Sequence, residues 1–353
     1  MKRRWMGRFA VVAVALGVAL AGCSGGGNGL GFGPIVQLMT MVSLSSNKPG
    51  AASLDANLEN AWGMAFNPAT GFAWVTAAET GKAEVFDGAG ARQLSVTIPP
   101  PPAGAAPGHP TGIVFNDSAD FQGDKFIVVT EDGTIAGWQA GANAVIRRDN
   151  SAADAIYKGL AIATSGAGRR LYAANFHAGT IDVFDRSYTP VALVNAFVDP
   201  QLPADFAPFN IQNLGGRLYV TYAKQDAAKE DEIAGAGLGA VDVFDANGVL
   251  LSRLASGGAL DAPWGLALAP SGFGKIGGAV LVGNFGDGRI NIFNPKNGAF
   301  LGQIKDAAGI PLSIEGLWAL AFGTTSAGGH SQLYFAAGPN DEADGLFGRL
   351  DPA

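Results

Sequence analysis

The chain has 353 residues, of which 48% are hydrophobic and only 15% charged; this supplies a large interior and excludes a disordered chain. Net charge is −7, and four of the cations (Lys2, Arg3, Arg4 and Arg8) precede residue 9, so no basic stripe remains to meet nucleic acid. The single cysteine, Cys23, excludes an internal disulfide framework and a cysteine-built metal site.

The first element is an address. The four cations are followed by an apolar stretch over residues 9–20 and by the small residues Ala21 and Gly22, the layout of a secretory signal. That stretch is too short to serve comfortably as a permanent membrane span, and nothing after residue 35 is long and apolar enough to cross a bilayer. Leu20-Ala21-Gly22-Cys23 resembles the bacterial lipobox. The resemblance implies that residues 1–22 are removed and that Cys23 carries the lipid. Ser24 in place of Asp implies, by the same resemblance, sorting to the outer membrane. The expected location is the cell envelope, lipid-anchored at the outer membrane or cell surface, with the periplasmic face also open. An ordinary signal peptide with an incidental cysteine is the alternative. Residues 23–34 are Gly-rich and read as a flexible tether, leaving 35–353 as the folded domain.

From Asn60 onward one phrase recurs. It reads Trp62-Gly63-Met64, then Ala73-Trp74-Val75-Thr76, then Glu84-Val85-Phe86-Asp87. Five further copies begin at Pro110, Lys158, Phe209, Pro263 and Leu317, spaced roughly 47 to 54 residues apart, close to the repeat of a propeller blade. Each copy holds short runs of Val, Ile, Leu, Phe and Tyr bounded by Gly, Asn, Asp and Pro, which are strand and turn signals. A fourth run follows in five copies, over residues 93–98, 144–147, 191–194, 249–251 and 300–304. The pattern predicts an all-β fold, a six-bladed β-propeller of four-stranded blades. The last copy lacks its fourth run, and the unpaired segment 35–44 is predicted to pair with 345–350 and close the ring. Two β-sandwiches or an open solenoid are the competing architectures. The best helix candidate is 224–234.

In such a ring the turns between second and third strands share a face with the connections between blades, and loop faces usually carry binding residues. The turns contain Glu79, Glu131, Asn175, His177, Lys224, Asn284, Asp287 and Asp341. These form the candidate ligand-binding set, together with Asn210 and Gln212, which interrupt an apolar first strand; the connections on the same face also carry His109, Lys158, Asp261 and Glu315. Glu79, Glu131, Asn175, Asn284 and Asp287 offer the oxygen ligands that suit Ca²⁺ or Mg²⁺; one His among them would suit Zn²⁺ or Mn²⁺. No local motif concentrates ligands, and each carboxylate reads equally as a solvated turn former. His177 is either a capped surface imidazole or a ligand or general base beside Asn175 and Asn284. Trp62, Trp264 and Trp318 recur at one position of the repeat, which points to packing first and sugar stacking second. The long turn 224–239 and the Pro-rich stretch 99–110 exceed what a blade needs. No Gly-x-Ser-x-Gly motif or phosphate loop is present.

Several phrases carry a family resemblance: Asn175-Phe176-His177-Ala178-Gly179-Thr180, Ala207-Pro208-Phe209-Asn210-Ile211-Gln212-Asn213, Val282-Gly283-Asn284-Phe285-Gly286-Asp287-Gly288 and Gly338-Pro339-Asn340-Asp341-Glu342. Over residues 36–350 the chain resembles uncharacterised bacterial secreted propellers related to NHL repeats, often found in genomes with an exosortase sorting system. The resemblance implies a six-bladed fold and no particular activity. Some members end in a Pro-Glu-Pro sorting tail, which is not found after Gly348; lipid on Cys23 would replace it as the means of retention. Two functions fit: a monomeric binding or scaffold module for an envelope protein or glycan, or a metal-dependent hydrolase or lactonase with a Ca²⁺-type site at the channel.

Overall fold

A computed structural model describes residues 35–324 and 332–353; the signal, the lipobox and the whole of the tether lie outside the described residues. The strands in chain order are β1 (Gln37–Ser46), β2 (Ser53–Leu54), β3 (Ala61–Phe66), β4 (Ala73–Ala77), β5 (Lys82–Phe86), β6 (Arg92–Thr97), β7 (Pro110–Phe115), β8 (Phe126–Thr130) and β9 (Thr134–Trp138). They continue as β10 (Val145–Asp149), β11 (Tyr157–Ser165), β12 (Gly168–Asn175), β13 (Thr180–Asp185), β14 (Phe206–Leu214), β15 (Arg217–Gln225), β16 (Glu232–Ile233), β17 (Ala240–Phe244) and β18 (Leu250–Ser256). The last are β19 (Pro263–Leu268), β20 (Val280–Asn284), β21 (Ile290–Phe293), β22 (Phe300–Lys305), β23 (Leu317–Phe322), β24 (Leu333–Ala337) and β25 (Leu346–Pro352).

Each copy of the repeat folds as an antiparallel meander, the first as β3-β4-β5-β6 and the second as β7-β8-β9-β10. Strand burial follows from position. β4, β8, β20 and β24 are buried at every residue and are mainly apolar, interrupted only by Thr76, Thr130 and Asn284, whereas the outermost β6, β10, β18 and β22 are half exposed and carry Arg, Gln and Ser.

The repeated Phe-Asp phrase ends the third strand and builds the turn after it. The Oδ1 of Asp87 accepts from the amides of Ala89 and Ala91, both at 2.9 Å. Asp185 and Asp245 bond the amides two and four residues on in the same way, and Asp306 does so after the fourth strand of the fifth copy. The aspartate thus replaces water on two turn donors, which is why it recurs.

Apolar clusters fill the space between successive meanders. One joins Trp74 and Val85 to Ile113 and Phe126, the next joins Ile127 and Ile135 to Leu160 and Leu171, and so on round the chain. The cycle closes because Ala73, Val75 and Phe86 of the first meander pack with Tyr334, Ala336 and Phe347 of the last.

The predicted closure is present: β1 runs antiparallel to β25, with Met41 opposite Leu350 and Ser43 opposite Gly348. β1 also touches β22, in parallel, at Gln37 and Leu38, so it stitches the last two meanders into one sheet.

Two expectations fail. Residues 191–194 form no strand, and the third meander has only β11, β12 and β13. After the Phe184–Pro190 bridge and one bond from the Val191 amide to Val183, the chain turns away, leaving Val194 87% exposed. Residues 224–234 form no helix: β15 extends to Gln225 and pairs with β16, Lys224 opposite Ile233 and Gln225 opposite Glu232. The tip is held by Asp226, whose Oδ1 accepts from the Glu230 amide at 2.9 Å.

Candidate functional site: a buried lysine on an aromatic plug

Antiparallel pairing places the start of each first strand beside the turn between second and third strands; Tyr157, Asn175 and Thr180 share one end of their meander. At that end the first strands approach so closely that Gly63, Gly112, Gly159 and Gly265 have no room for a side chain. A Cβ on Gly63 would lie 2.2 Å from the Thr111 carbonyl oxygen, and one on Gly265 would lie 2.8 Å from that of Trp318. The fourth copy has Asn210 at this position. Its Nδ2 donates to the Trp264 carbonyl at 2.7 Å and its Oδ1 accepts from the Ile211 amide at 2.8 Å. Asn210 therefore ties neighbouring first strands together, and its side chain is not offered to a ligand or a water column.

The residue before this position, which is glycine in four copies, Asn210 in the fourth and Ala319 in the sixth, points inward in every copy: Trp62, Thr111, Lys158, Phe209, Trp264 and Trp318, all buried. Trp62 stacks on Trp318 with ring centroids 3.8 Å apart, and Phe285 stacks on the same Trp318 at 4.0 Å. Trp264 donates from Nε1 to the Lys158 carbonyl at 3.1 Å, linking the third and fifth copies. This end of the central space is filled by an aromatic plug rather than left open.

Lys158 is the one charged member of that ring. Its Nζ lies 5.3 Å from the Trp62 ring centroid and 5.4 Å from that of Phe176, within the range of cation–π attraction. Carboxylates close over it: Glu131 at 3.0 Å, Asp231 at 3.2 Å and Glu232 at 3.7 Å. The Lys158 and Glu232 side chains are 1% and 5% exposed, and Asp231 stays at the surface with 74%. Burial works against the ammonium, but Glu131, Glu232, Asp231 and Glu342 outweigh it and hold its pKa above the usual lysine range. Glu232 is pushed up by burial, with Lys158 opposing.

Glu342 completes the cluster. Asn60 donates from Nδ2 to its Oε2 at 2.7 Å, and Trp318 Nε1 donates to Asn60 Oδ1 at 2.9 Å, so the carboxyl is fixed to the plug. Burial, then repulsion from Glu232 and Glu131, pushes its pKa up to about 8 despite Lys158. Glu342 therefore carries its proton at neutral pH. A carboxyl whose folded pKa exceeds its unfolded value near 4.5 takes stability away as pH rises between the two values. Glu342→Gln keeps the acceptor for Asn60 and cannot ionise. Its advantage over the natural chain should be absent near pH 4 and grow to on the order of 2–4 kcal/mol above pH 8. Chemical denaturation at several pH values measures it; a pH-independent difference would refute the assignment. Asp242, raised by burial to about 7, adds a common slope to both chains.

Of the candidate ligand-binding residues, Glu131 reaches this centre, on Lys158, which the sequence placed only on a connection of that face. Glu79 and Asp341 are exposed turn residues, and the inward carboxylate is Glu342, one position beyond Asp341. Lys224 pairs with Asp205 at 3.2 Å. Asn175 donates to Asp182 at 3.1 Å, and Asn284 donates to Asp287 at 2.9 Å and to the Ala259 carbonyl at 2.8 Å, so these three polar groups shape their own turns. Gln212 lies towards the far end of its strand, in a cavity of about 230 Å³ with Met64, Ile113 and Leu160. His109 is held by Asp132, Nδ1 to Oδ1 at 2.9 Å. The His177 Nδ1 is buried with no hydrogen-bond partner among the described residues, and no contact joins it to Asn175 or Asn284 as a catalytic set.

The described residues contain no group of three or more His, Cys, Asp or Glu side chains arranged to hold a metal ion. The carboxylates that converge do so on an ammonium. Lys158, Glu232 and Glu342 were legible only as members of turns and connections. The stronger signal was a lysine standing where the other copies carry Trp, Phe or Thr.

The fold and this plugged centre define an all-β, propeller-like protein. The chain belongs to one family with two uncharacterized proteins of Acanthamoeba polyphaga mimivirus. It is 32% identical to "Uncharacterized protein L690" over 330 residues, 87% of this chain and 84% of that protein. It is 30% identical to "Uncharacterized protein R648" over 342 residues, 90% of this chain and 82% of that protein. These relatives are viral, so they lend no support to the expected bacterial, exosortase-associated setting. No protein-family model matches the chain. Among solved structures, a Bacteroides thetaiotaomicron protein of unknown function superposes with a TM-score of 0.58 at 10% identity, covering 89% of this chain and 76% of that one. A streptogramin B lyase superposes with a TM-score of 0.52 at 13% identity, covering 89% and 97%. At such identities the likeness concerns the fold alone.

Proposed function

We propose that the meanders are the six blades of a β-propeller and that the chain is a binding or scaffold protein. In this reading it is held at the cell envelope by lipid on Cys23 and recognises a protein or glycan with the face around Lys158. The observation that carries the reading is the state of the acidic residues at that face. Glu131, Asp231 and Glu232 converge on one internal ammonium, and Glu342 is fixed to Asn60. What remains is a rigid, preorganised surface, which favours recognition over metal-assisted chemistry. The metal-dependent hydrolase or lactonase has less support, because the carboxylates of its candidate site do not converge: Glu131 pairs with Lys158, Asp287 accepts from Asn284, and Glu79 is an exposed turn residue.

The test is immobilised full chain challenged with a glycan array and with solubilised envelope proteins. Glu79→Lys combined with Asp341→Lys, both at exposed turn positions of this face, should reduce retention at least tenfold while the melt is unchanged. Millimolar Ca²⁺ should leave the melt within about 1 °C of that in EDTA. A rise of several degrees with Ca²⁺, accompanied by lactone turnover, would overturn this reading in favour of the hydrolase.

A further inference from the structure

The opposite end of the fold carries a groove that the plugged face does not use. Between the fourth and fifth meanders lies a cavity of about 990 Å³, floored by Leu214, Tyr219, Leu251 and Leu268 and rimmed by Arg217 and Lys296. Leu251 and Leu268, which line the same cavity, are 47% and 37% exposed. The cavity runs on, through Gly278, Pro295 and Lys296, into a second of about 350 Å³ that includes Lys275. Among the described residues no acidic side chain pairs with Arg217, Lys275 or Lys296. Only 19 of the 23 Lys and Arg residues lie beyond residue 8, against 30 Asp and Glu, so a basic, apolar groove stands out on an acidic surface. It is far larger than a single small anion requires.

The two cavities, joined at Gly278, Pro295 and Lys296, make one elongated groove, which suits an extended occupant. A chain laid along it would alternate its side chains, one set onto the leucine floor and the other outward towards the cations. We propose that this groove binds an extended acidic peptide segment of a partner protein, with apolar residues on Leu214, Leu251 and Leu268 and carboxylates at Arg217 and Lys296.

The probe is a fluorescein-labelled nonapeptide of alternating Leu and Glu, titrated with the full chain and followed by anisotropy. Saturable binding is expected, at least tenfold weaker for Arg217→Glu with Lys296→Glu, unchanged for Lys125→Glu with Arg186→Glu at exposed positions elsewhere, and absent for a Leu–Lys peptide. Melting curves confirm that both double variants fold, as their exposed positions lead us to expect. The proposal is overturned by no saturable binding, or by equal weakening in the two double variants. It is also overturned if the peptide fails while phosphatidylglycerol vesicles bind with the same dependence on Arg217 and Lys296, which would assign the groove to a membrane surface.

Discussion

Deleting residues 37–46 is expected to lower the melting temperature by about 20 °C or more, or to abolish a cooperative melt. β1 buries Met39 in the cluster between the last two meanders and Leu44 in the cluster that closes the cycle, so one segment serves two interfaces. Losing a buried Met or Leu side chain costs about 2–5 kcal/mol each, and the hydrogen-bonded ladder from Met39 to Ser46 is lost with them. Together these approach the roughly 5–15 kcal/mol by which a folded domain is stable. The deletion also bares the outer edges of β22 and β25, so aggregation should accompany unfolding. Differential scanning calorimetry with light scattering measures both; a melt within a few degrees of the natural chain would show that the ring does not depend on its amino-terminal strand.

Lys158→Met is expected to destabilise the fold by about 3–5 kcal/mol, because it leaves buried carboxylates without their counter-ion. The size follows from the surroundings: Glu232 is nearly inaccessible, Glu131 is 15% exposed, and the ammonium also faces the Trp62, Phe176 and Phe209 rings. Packing alone would predict less, since Met nearly matches the lysine stem. The charge argument makes two further statements. Lowering the pH below about 5 should shrink the deficit as the stranded carboxylates take up protons. Adding Glu131→Gln and Glu232→Gln to Lys158→Met should recover a large part of the loss, although each Gln alone in the natural chain would be destabilising. A deficit constant from pH 4 to 8, with no recovery in the triple variant, would show that Lys158 acts through its methylenes.

Both experiments probe features with different origins. The closing strand was legible in the sequence because a repeat with one missing run and one spare segment has a simple solution. Strand identity was legible too, since short β-branched and aromatic runs between Gly and Asp turns need only local physics. The third meander broke that logic: Val191 to Val194 has strand composition but no strand. After Val191 the chain crosses to the fourth meander, where the Phe197 amide donates to the Gly248 carbonyl at 2.8 Å and the Phe197 ring packs on Phe244 with centroids 5.2 Å apart. A long-range contact outweighed local preference.

The sequence by itself determined the repeat, the turns that punctuate it, the spare strand that closes it and the loops that share a face with the first-strand starts. These depend on periodicity and on the backbone needs of Gly and Asp. Only the tertiary structure decided which polar side chains meet. Asn340, Asp341 and Glu342 all take positive φ in one turn, and nothing in their order says that Glu342 rather than Asp341 points to the centre. Nor does spacing along the chain reveal that Glu131, Glu232 and Glu342, from three different meanders, share surroundings with Lys158. Charge pairing inside a ring is set by distances across it, and those exist only once the ring has closed.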